Sequence, residues 1–277
     1  MTDVHLMLAG AGNSEKGLAA CLDAVEALRP RPEFILCGGD LTHELPALTV
    51  DLGEKLIDRF LAIWNEHTKL PTHYTFGNHD LLGTKNPLVS REDPRHGKGL
   101  WRQKLGLERS FYGFDAGNWR LIVLDDVELN ADGTYTGAFP DEQLAFLKEE
   151  FAAAAGRPLI LCGHVPPMSV LPAMTGLAKL VGAKIETASS LVATNTKAVL
   201  DEAKEAHANL RLVLAGHLHH FEQIELDGIR YINSGAVCGN WWKGAQLGCP
   251  EGFLVVDLQP DGQFATEYKS YGWQVKV

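Results

Sequence analysis

The sequence is poor in the features that mark membrane, nucleic-acid-binding and disulfide-built proteins. No run of about 18 apolar residues occurs, so no transmembrane helix is expected. No secretory leader precedes the first polar motif, and the chain as given reads as cytoplasmic. The alternative is an exported or periplasmic protein whose amino-terminal leader lies outside this sequence. Basic residues are in deficit, 25 Lys and Arg against 35 Asp and Glu for a formal net charge of −10, which argues against a broad nucleic-acid or anionic-lipid surface. The five cysteines are odd in number and form no CxxC pair, so they read as buried free thiols. Internal repeats and low-complexity linkers are also missing. One domain spanning 1–277 is expected, long enough to bury a sizeable core.

What is present is an alternation of strand, loop and helix. Leu18, Cys21, Leu22, Val25 and Leu28 keep helical spacing, as do Leu52, Leu56, Phe60 and Trp64, and then Leu144, Leu147 and Phe151 behind Pro140. Phe34 to Cys37, Thr72 to Phe76, Arg120 to Leu124, Leu159 to Cys162 and Leu210 to Leu214 read as buried strands, with Ile229 to Ile232 and Phe253 to Val256 closing the chain. Asn195 can start a helix running to about His207. Two packed sheets flanked by helices, or one large sheet, fit this α/β order. Residues 83–118 read as irregular. Residues 168–193, apolar and without period, read as a cap or loop insertion, and 234–277 as a C-terminal extension of the same domain.

The polar motifs share one position: each follows an apolar strand, where α/β folds bind ligands. In chain order they are Asp3-Val4-His5, Gly39-Asp40, Gly77-Asn78-His79-Asp80, Gly163-His164 and Gly216-His217-Leu218-His219. Singly each has a plain reading. Asp3 suits a solvated terminus, Asp40 and Asn78 suit turns, and His164 before two prolines suits an extended segment. Jointly, two carboxylates, one amide and four imidazoles form a nitrogen and oxygen set without thiolate, suited to Mn, Fe, Zn or Co. Seven groups exceed one ion's needs, and a bridging carboxylate divides them into two sites of four.

TDVHL, GGDLTH, GNHD, GHVPP and GHLHH, in this order, resemble the calcineurin-like metallophosphoesterase superfamily, and the likeness runs from residue 3 to about 222. SGAVCGNWWKG, CPEGF and YGW resemble a bacterial branch of uncharacterised phosphoesterases. The resemblance implies a four-layer αββα sandwich of two mixed β-sheets flanked by helices. It implies that Asp3, His5, Asp40 and His219 hold one metal, and that Asp40, Asn78, His164 and His217 hold the other. It makes His79 and Asp80 the catalytic residues, His79 at the leaving oxygen and Asp80 as its acidic neighbour. The family carries a full strand before its DxH pair, whereas only Met1 and Thr2 stand here. A second register, with Val4 to Ala9 as that strand and Gly10-Ala11-Gly12 at its end, therefore remains open. His43 stands where the protein phosphatase branch carries aspartate.

The expected function is a dinuclear metal-dependent phosphohydrolase. It would use two divalent or trivalent ions, with Mn, Fe or Zn foremost, to cleave a small phosphomonoester or phosphodiester by attack of a bridging hydroxide. The alternatives are a single-metal or non-catalytic phosphoester-binding scaffold, and a hydrolase of a non-phosphorus bond. His220, Asn240, Trp241 and Trp242 are candidate substrate contacts, with core packing the competing reading for the two tryptophans. Nucleic acid and membrane are not expected partners, and the oligomeric state is not legible.

Overall fold

The computed structural model describes residues 1–274; residues 275–277, the end of the expected C-terminal extension, lie outside the described residues. Fourteen strands are described: β1 (Ile35–Gly38), β2 (Thr72–Thr75), β3 (Tyr112–Ala116), β4 (Trp119–Val123), β5 (Val127–Leu129), β6 (Tyr135–Gly137), β7 (Pro158–Cys162), β8 (Lys179–Val181), β9 (Lys184–Glu186), β10 (Asn209–Ala215), β11 (Glu222–Leu226), β12 (Ile229–Asn233), β13 (Gly252–Leu258) and β14 (Phe264–Ser270). The helices are α1 (Ser14–Glu26), α2 (Val50–His67), α3 (Gly99–Leu105), α4 (Asp141–Ala153), α5 (Leu171–Met174) and α6 (Thr196–Glu205).

The main sheet has the order β11-β12-β10-β7-β4-β3. Its four inner strands are parallel, and β11 and β3 pair antiparallel at the edges. Buried on both faces, inner strands such as β7 carry continuous apolar runs. Side chains alternate between the faces. Ile122, Leu159, Leu161 and Val213 meet α4 and α6 on one side, while Leu121, Ile160 and Leu212 face a second β layer on the other.

That second layer is assembled from pieces. β1 and β2 pair in parallel, β13 and β14 form an antiparallel hairpin, and residues 1–6 run beside the end of β1 and the loop that follows it. α1 and α2 cover it through Leu18, Leu22, Ile57 and Phe60. The order of layers is helix, sheet, sheet, helix, as the motifs implied.

Two segments depart from expectation. Residues 83–118 are not wholly irregular: they contain α3 and β3, and α3 buries only Leu100 and Trp101, too few apolar positions to show a period. Residues 168–193 hold α5 and the β8-β9 hairpin, whose strands are exposed throughout and pair only with each other. The second register is also settled. Residues 8–13 form irregular turns with Gly10 and Gly12 at φ of 68° and 63°, whereas Asp3 and His5 are fully buried.

Candidate functional site

Five chain segments end on one rim, at the carboxyl ends of β1, β2, β7 and β10 and along residues 3–5. His5 Nε2 lies 3.3 Å from Asp40 Oδ2 and 3.8 Å from Asp3 Oδ1, and His219 Nε2 lies 3.4 Å from the same Asp3 oxygen. On the other flank, His164 Nε2 lies 3.5 Å from Asp40 Oδ2 and 3.2 Å from Asn78 Oδ1. Donor atoms of Asp3, His5 and Asp40 fall within 4.8 Å of one another, and so do those of Asp40, His164 and His217. Asp40 belongs to both groups. The structure thus brings together all seven residues picked from the motifs.

Backbone carbonyls orient the rings. His164 Nδ1–H donates to Gly38 O at 2.8 Å, His219 Nδ1–H to Gly239 O at 2.6 Å and His79 Nδ1–H to His43 O at 2.7 Å. Each bond leaves Nε2 facing the site. The electrostatics ask for added positive charge. Burial pushes His5 and His164 down and His217 to about 3, so these rings stay neutral. Burial, helped by the Asp3 and Asp80 carboxylates, pushes Asp40 well up. In Asp3 burial opposes ionisation, but the His219 charge outweighs it and holds the carboxyl low; in His219 burial opposes protonation, and Asp3 outweighs it and raises the ring. His217 Nε2 is buried without a hydrogen-bond partner. A converging set of imidazole nitrogens and carboxylates, with one nitrogen orphaned, fits divalent cations.

Buried carboxylates tie the ligand loops together. Asp80 accepts from the backbone N–H of Leu41, Thr42 and Gly77 at 2.9 to 3.1 Å, joining the Asp40 and Asn78 loops. It is fully buried with both oxygens bonded by these backbone donors, which makes it a group that positions the loops in place of the catalytic neighbour expected from the motif. Asp126 does the same for the His164 loop, accepting from the N–H of His164 and Val165. Sequence reasoning missed Asp126, although its place three residues past the end of β4 was the available signal. Gly77 is required here, because a Cβ would sit 2.1 Å from Asp40 Oδ1. Asp3, His5, Asp40, His217 and His219 all adopt left-handed φ, between 46° and 72°. Such backbone costs about 1 to 3 kcal/mol per residue and persists only where the surroundings over-determine it.

The tryptophans split. Trp241 walls the site, its ring centroid 4.2 Å from His5 and 4.6 Å from His219. Trp242 corrects the expectation of a substrate contact: its ring is buried against Gly17, and its Nε1–H donates to His5 O at 3.0 Å. Gly17, which has no Cβ, leaves room for this indole against α1, which is why the packing reading prevails there. His43, not singled out as a site residue, stacks on His79 at 4.8 Å and 13°. Asn240 is half-buried in the turn closed by its N–H to Gly244 O, and His220 is half-buried with an unpartnered Nδ1. Asn233 donates to Glu222 and to Met168 O, fastening the start of the 168–193 segment.

Comparison with known proteins agrees with this geometry. Residues 1–221 match the calcineurin-like phosphoesterase family. The chain is 22% identical over 287 residues to a 3′,5′-cyclic-nucleotide phosphodiesterase of Nostoc sp., covering 100% of this chain and 93% of the relative. It is 25% identical over 243 residues to a cAMP/cGMP dual specificity phosphodiesterase of Mycobacterium tuberculosis, covering 86% of this chain and 66% of the relative. Its fold is similar to that of a dimetal phosphatase from Danio rerio, with a TM-score of 0.61 at 17% identity over 97% of this chain and 90% of the other. No helix among the described residues is long and apolar enough to cross a membrane. The chain belongs to the calcineurin-like phosphoesterase family and is a metal-dependent hydrolase of phosphoesters.

Proposed function

We propose that this chain is a dinuclear phosphodiesterase acting on a small phosphodiester, with 3′,5′-cyclic nucleotides the first substrates to try. Asp3, His5, Asp40 and His219 would hold one ion, and Asp40, Asn78, His164 and His217 the other. The single observation that carries this reading is Asp40 Oδ2, which lies 3.3 Å from His5 Nε2 and 3.5 Å from His164 Nε2, between the two donor groups. When bound, the ions neutralise phosphate oxygens and activate water for attack in line with the leaving group.

The chain's own groups supply the rest. His79 is held by two bonds, Nδ1–H to His43 O and its backbone N–H to Asp40 Oδ1 at 2.7 Å. Burial pushes its ring to about 4, so it is neutral without substrate. The negative charge of a bound phosphoester favours the protonated ring, which then donates from Nε2 to the departing oxygen. Trp241 and the half-buried His43, 5.0 Å apart, give an aromatic wall that suits a flat base. The names of the two relatives support the same substrate class.

Metal analysis of the reconstituted protein, joined to turnover of bis-nitrophenyl phosphate, cyclic nucleotides, 5′-mononucleotides, lactones and amides, tests this. About two ions per chain with diester hydrolysis is the expected result. One ion and no turnover would point to a binding scaffold, and turnover of lactones or amides alone to a different bond.

A further inference from the structure

Exposed apolar side chains gather on one segment. Among the described residues, eleven large hydrophobic side chains are exposed, and six of them, Val170, Met174, Leu177, Leu180, Val181 and Ile185, lie within residues 170–185. A cluster of this kind marks an interaction surface, whereas single exposed apolar residues need no explanation. Leu180 and Ile185 are 78% and 73% exposed and stand opposite each other in the β8-β9 hairpin, so they share one face. A lone two-stranded hairpin is marginal in water, and this one pairs with no other strand among the described residues. Its form asks for a further strand at one edge.

The register says which backbone groups are free. Lys179 stands opposite Glu186, Leu180 opposite Ile185 and Val181 opposite Lys184, around a two-residue turn with Gly182 at φ 60°. The pair beside such a turn exchanges backbone bonds, and bonded and unbonded pairs then alternate along an antiparallel ladder. Val181 and Lys184 are thus bonded to each other, while Leu180 and Ile185 send N–H and C=O outward to the two open edges. On the β9 edge the residues flanking Ile185 are Lys184 and Glu186, of opposite charge. An antiparallel two-fold centred on Ile185 therefore sets Lys184 of each copy against Glu186 of the other. The β8 edge offers no such match, because a two-fold centred on Leu180 sets Lys179 against Val181.

We propose that two copies of this chain join through β9, the two Ile185 residues exchanging both backbone bonds across a two-fold axis. The product is a four-stranded sheet in the order β8-β9-β9-β8. On one of its faces Leu180, Ile185 and their symmetry mates form a continuous apolar stripe. Two Lys184–Glu186 pairs fix the register, since a slip of one residue loses both and turns the Ile185 side chains to opposite faces. The hairpin is also fastened near the metal centre. Val170 N–H donates to Glu222, three residues past His219, and Gly137 N–H donates to Ser189 O. Pairing of two copies thus restrains a segment anchored at the rim of the site.

Sedimentation velocity on the full chain across the micromolar range tests this, and because it reads mass its outcome is independent of the proposed activity. The parent should be a dimer that dissociates on dilution. Ile185→Pro removes an N–H that only the second copy uses and leaves the β8-β9 bonds in place, and it should be monomeric throughout. Lys184→Glu and Glu186→Lys each set like charges against one another at both pairs, and each should weaken self-association by about tenfold or more. Mixed in equal amounts, these two variants set unlike charges together at both pairs, and a heterodimer should form with an affinity near that of the parent. A parent that stays monomeric would overturn the proposal, and its flotation with phosphatidylglycerol vesicles would assign the patch to a lipid surface. Dimers that ignore all three substitutions would overturn it by placing the interface elsewhere. So would charge variants that associate no better mixed than alone.

Discussion

His5 Nε2 and His219 Nε2 face each other at 3.0 Å, although the Nδ1–H of His219 is committed to Gly239 O. Two imidazole nitrogens aimed at one point need a proton or a cation between them. Chelation should therefore cost stability as well as activity. At metal concentrations about a hundredfold above Kd, binding contributes about 2.7 kcal/mol. That corresponds to a fall in Tm of roughly 5 to 10 °C on adding EDTA, reversed by Mn. Scanning calorimetry with and without chelator checks it, and an unchanged Tm would count against a metal at this pair.

His79 should be separable from metal binding, because its ring nitrogen is bonded to His43 O and its Nε2 is free. His79→Ala is expected to keep its metal content while losing about 10² to 10⁴ in kcat. The loss should be larger for poor leaving groups than for nitrophenolate. Equal losses on both would remove the leaving-group role.

Asp80 stands behind the ligands, and its removal tests positioning. Asp80→Ala strands the N–H groups of Leu41, Thr42 and Gly77, at about 1 to 3 kcal/mol each when buried. A destabilisation of about 3 to 5 kcal/mol is expected. Asp80→Asn keeps the shape and part of the accepting capacity, so excess Mn should restore its kcat more fully than that of Asp80→Ala. Identical metal dependence in both variants and the parent would refute the role.

The ligand set was legible because chemistry at a strand end is local: Asp40, Asn78, His164 and the His217–His219 pair each follow an apolar run that announces the strand. Asp126 was harder, since a carboxylate that bonds only backbone N–H groups leaves no partner pattern in the sequence. Trp242 was ambiguous for a related reason. An adjacent aromatic pair does not say which ring turns inward, and here a tertiary contact with Gly17 decides. α3 was hidden by length, because about two turns with only Leu100 and Trp101 buried show no periodicity.

That contact makes a further prediction. A Cβ on Gly17 would lie 2.0 Å from Trp242 Cζ3, inside the indole. Gly17→Ala must push the ring aside and with it the Nε1–H bond to His5 O. Overpacking of this kind costs about 1 to 3 kcal/mol. Metal affinity should fall too, because that bond holds the backbone of His5. Loss of stability with unchanged metal affinity would show that Trp242 fills space without holding His5.

His73 supplies a pH dependence away from the metal ligands. Its ring stacks on Phe114 at 3.5 Å and 4°, and burial pushes its pKa below 6.5. The unfolded chain then binds more protons at this residue than the folded one as pH drops through 6.5. Stability contributed by the neutral, stacked ring is therefore present above pH 6.5 and is lost progressively in acid. His73→Phe keeps the stack and removes the proton site. Urea titrations of both proteins at pH 8 and pH 5.5 should show a smaller loss for the variant. The ligand histidines are common to both proteins, so the difference between the two losses isolates His73, and parallel losses would mean that this ring stays solvated enough to titrate normally.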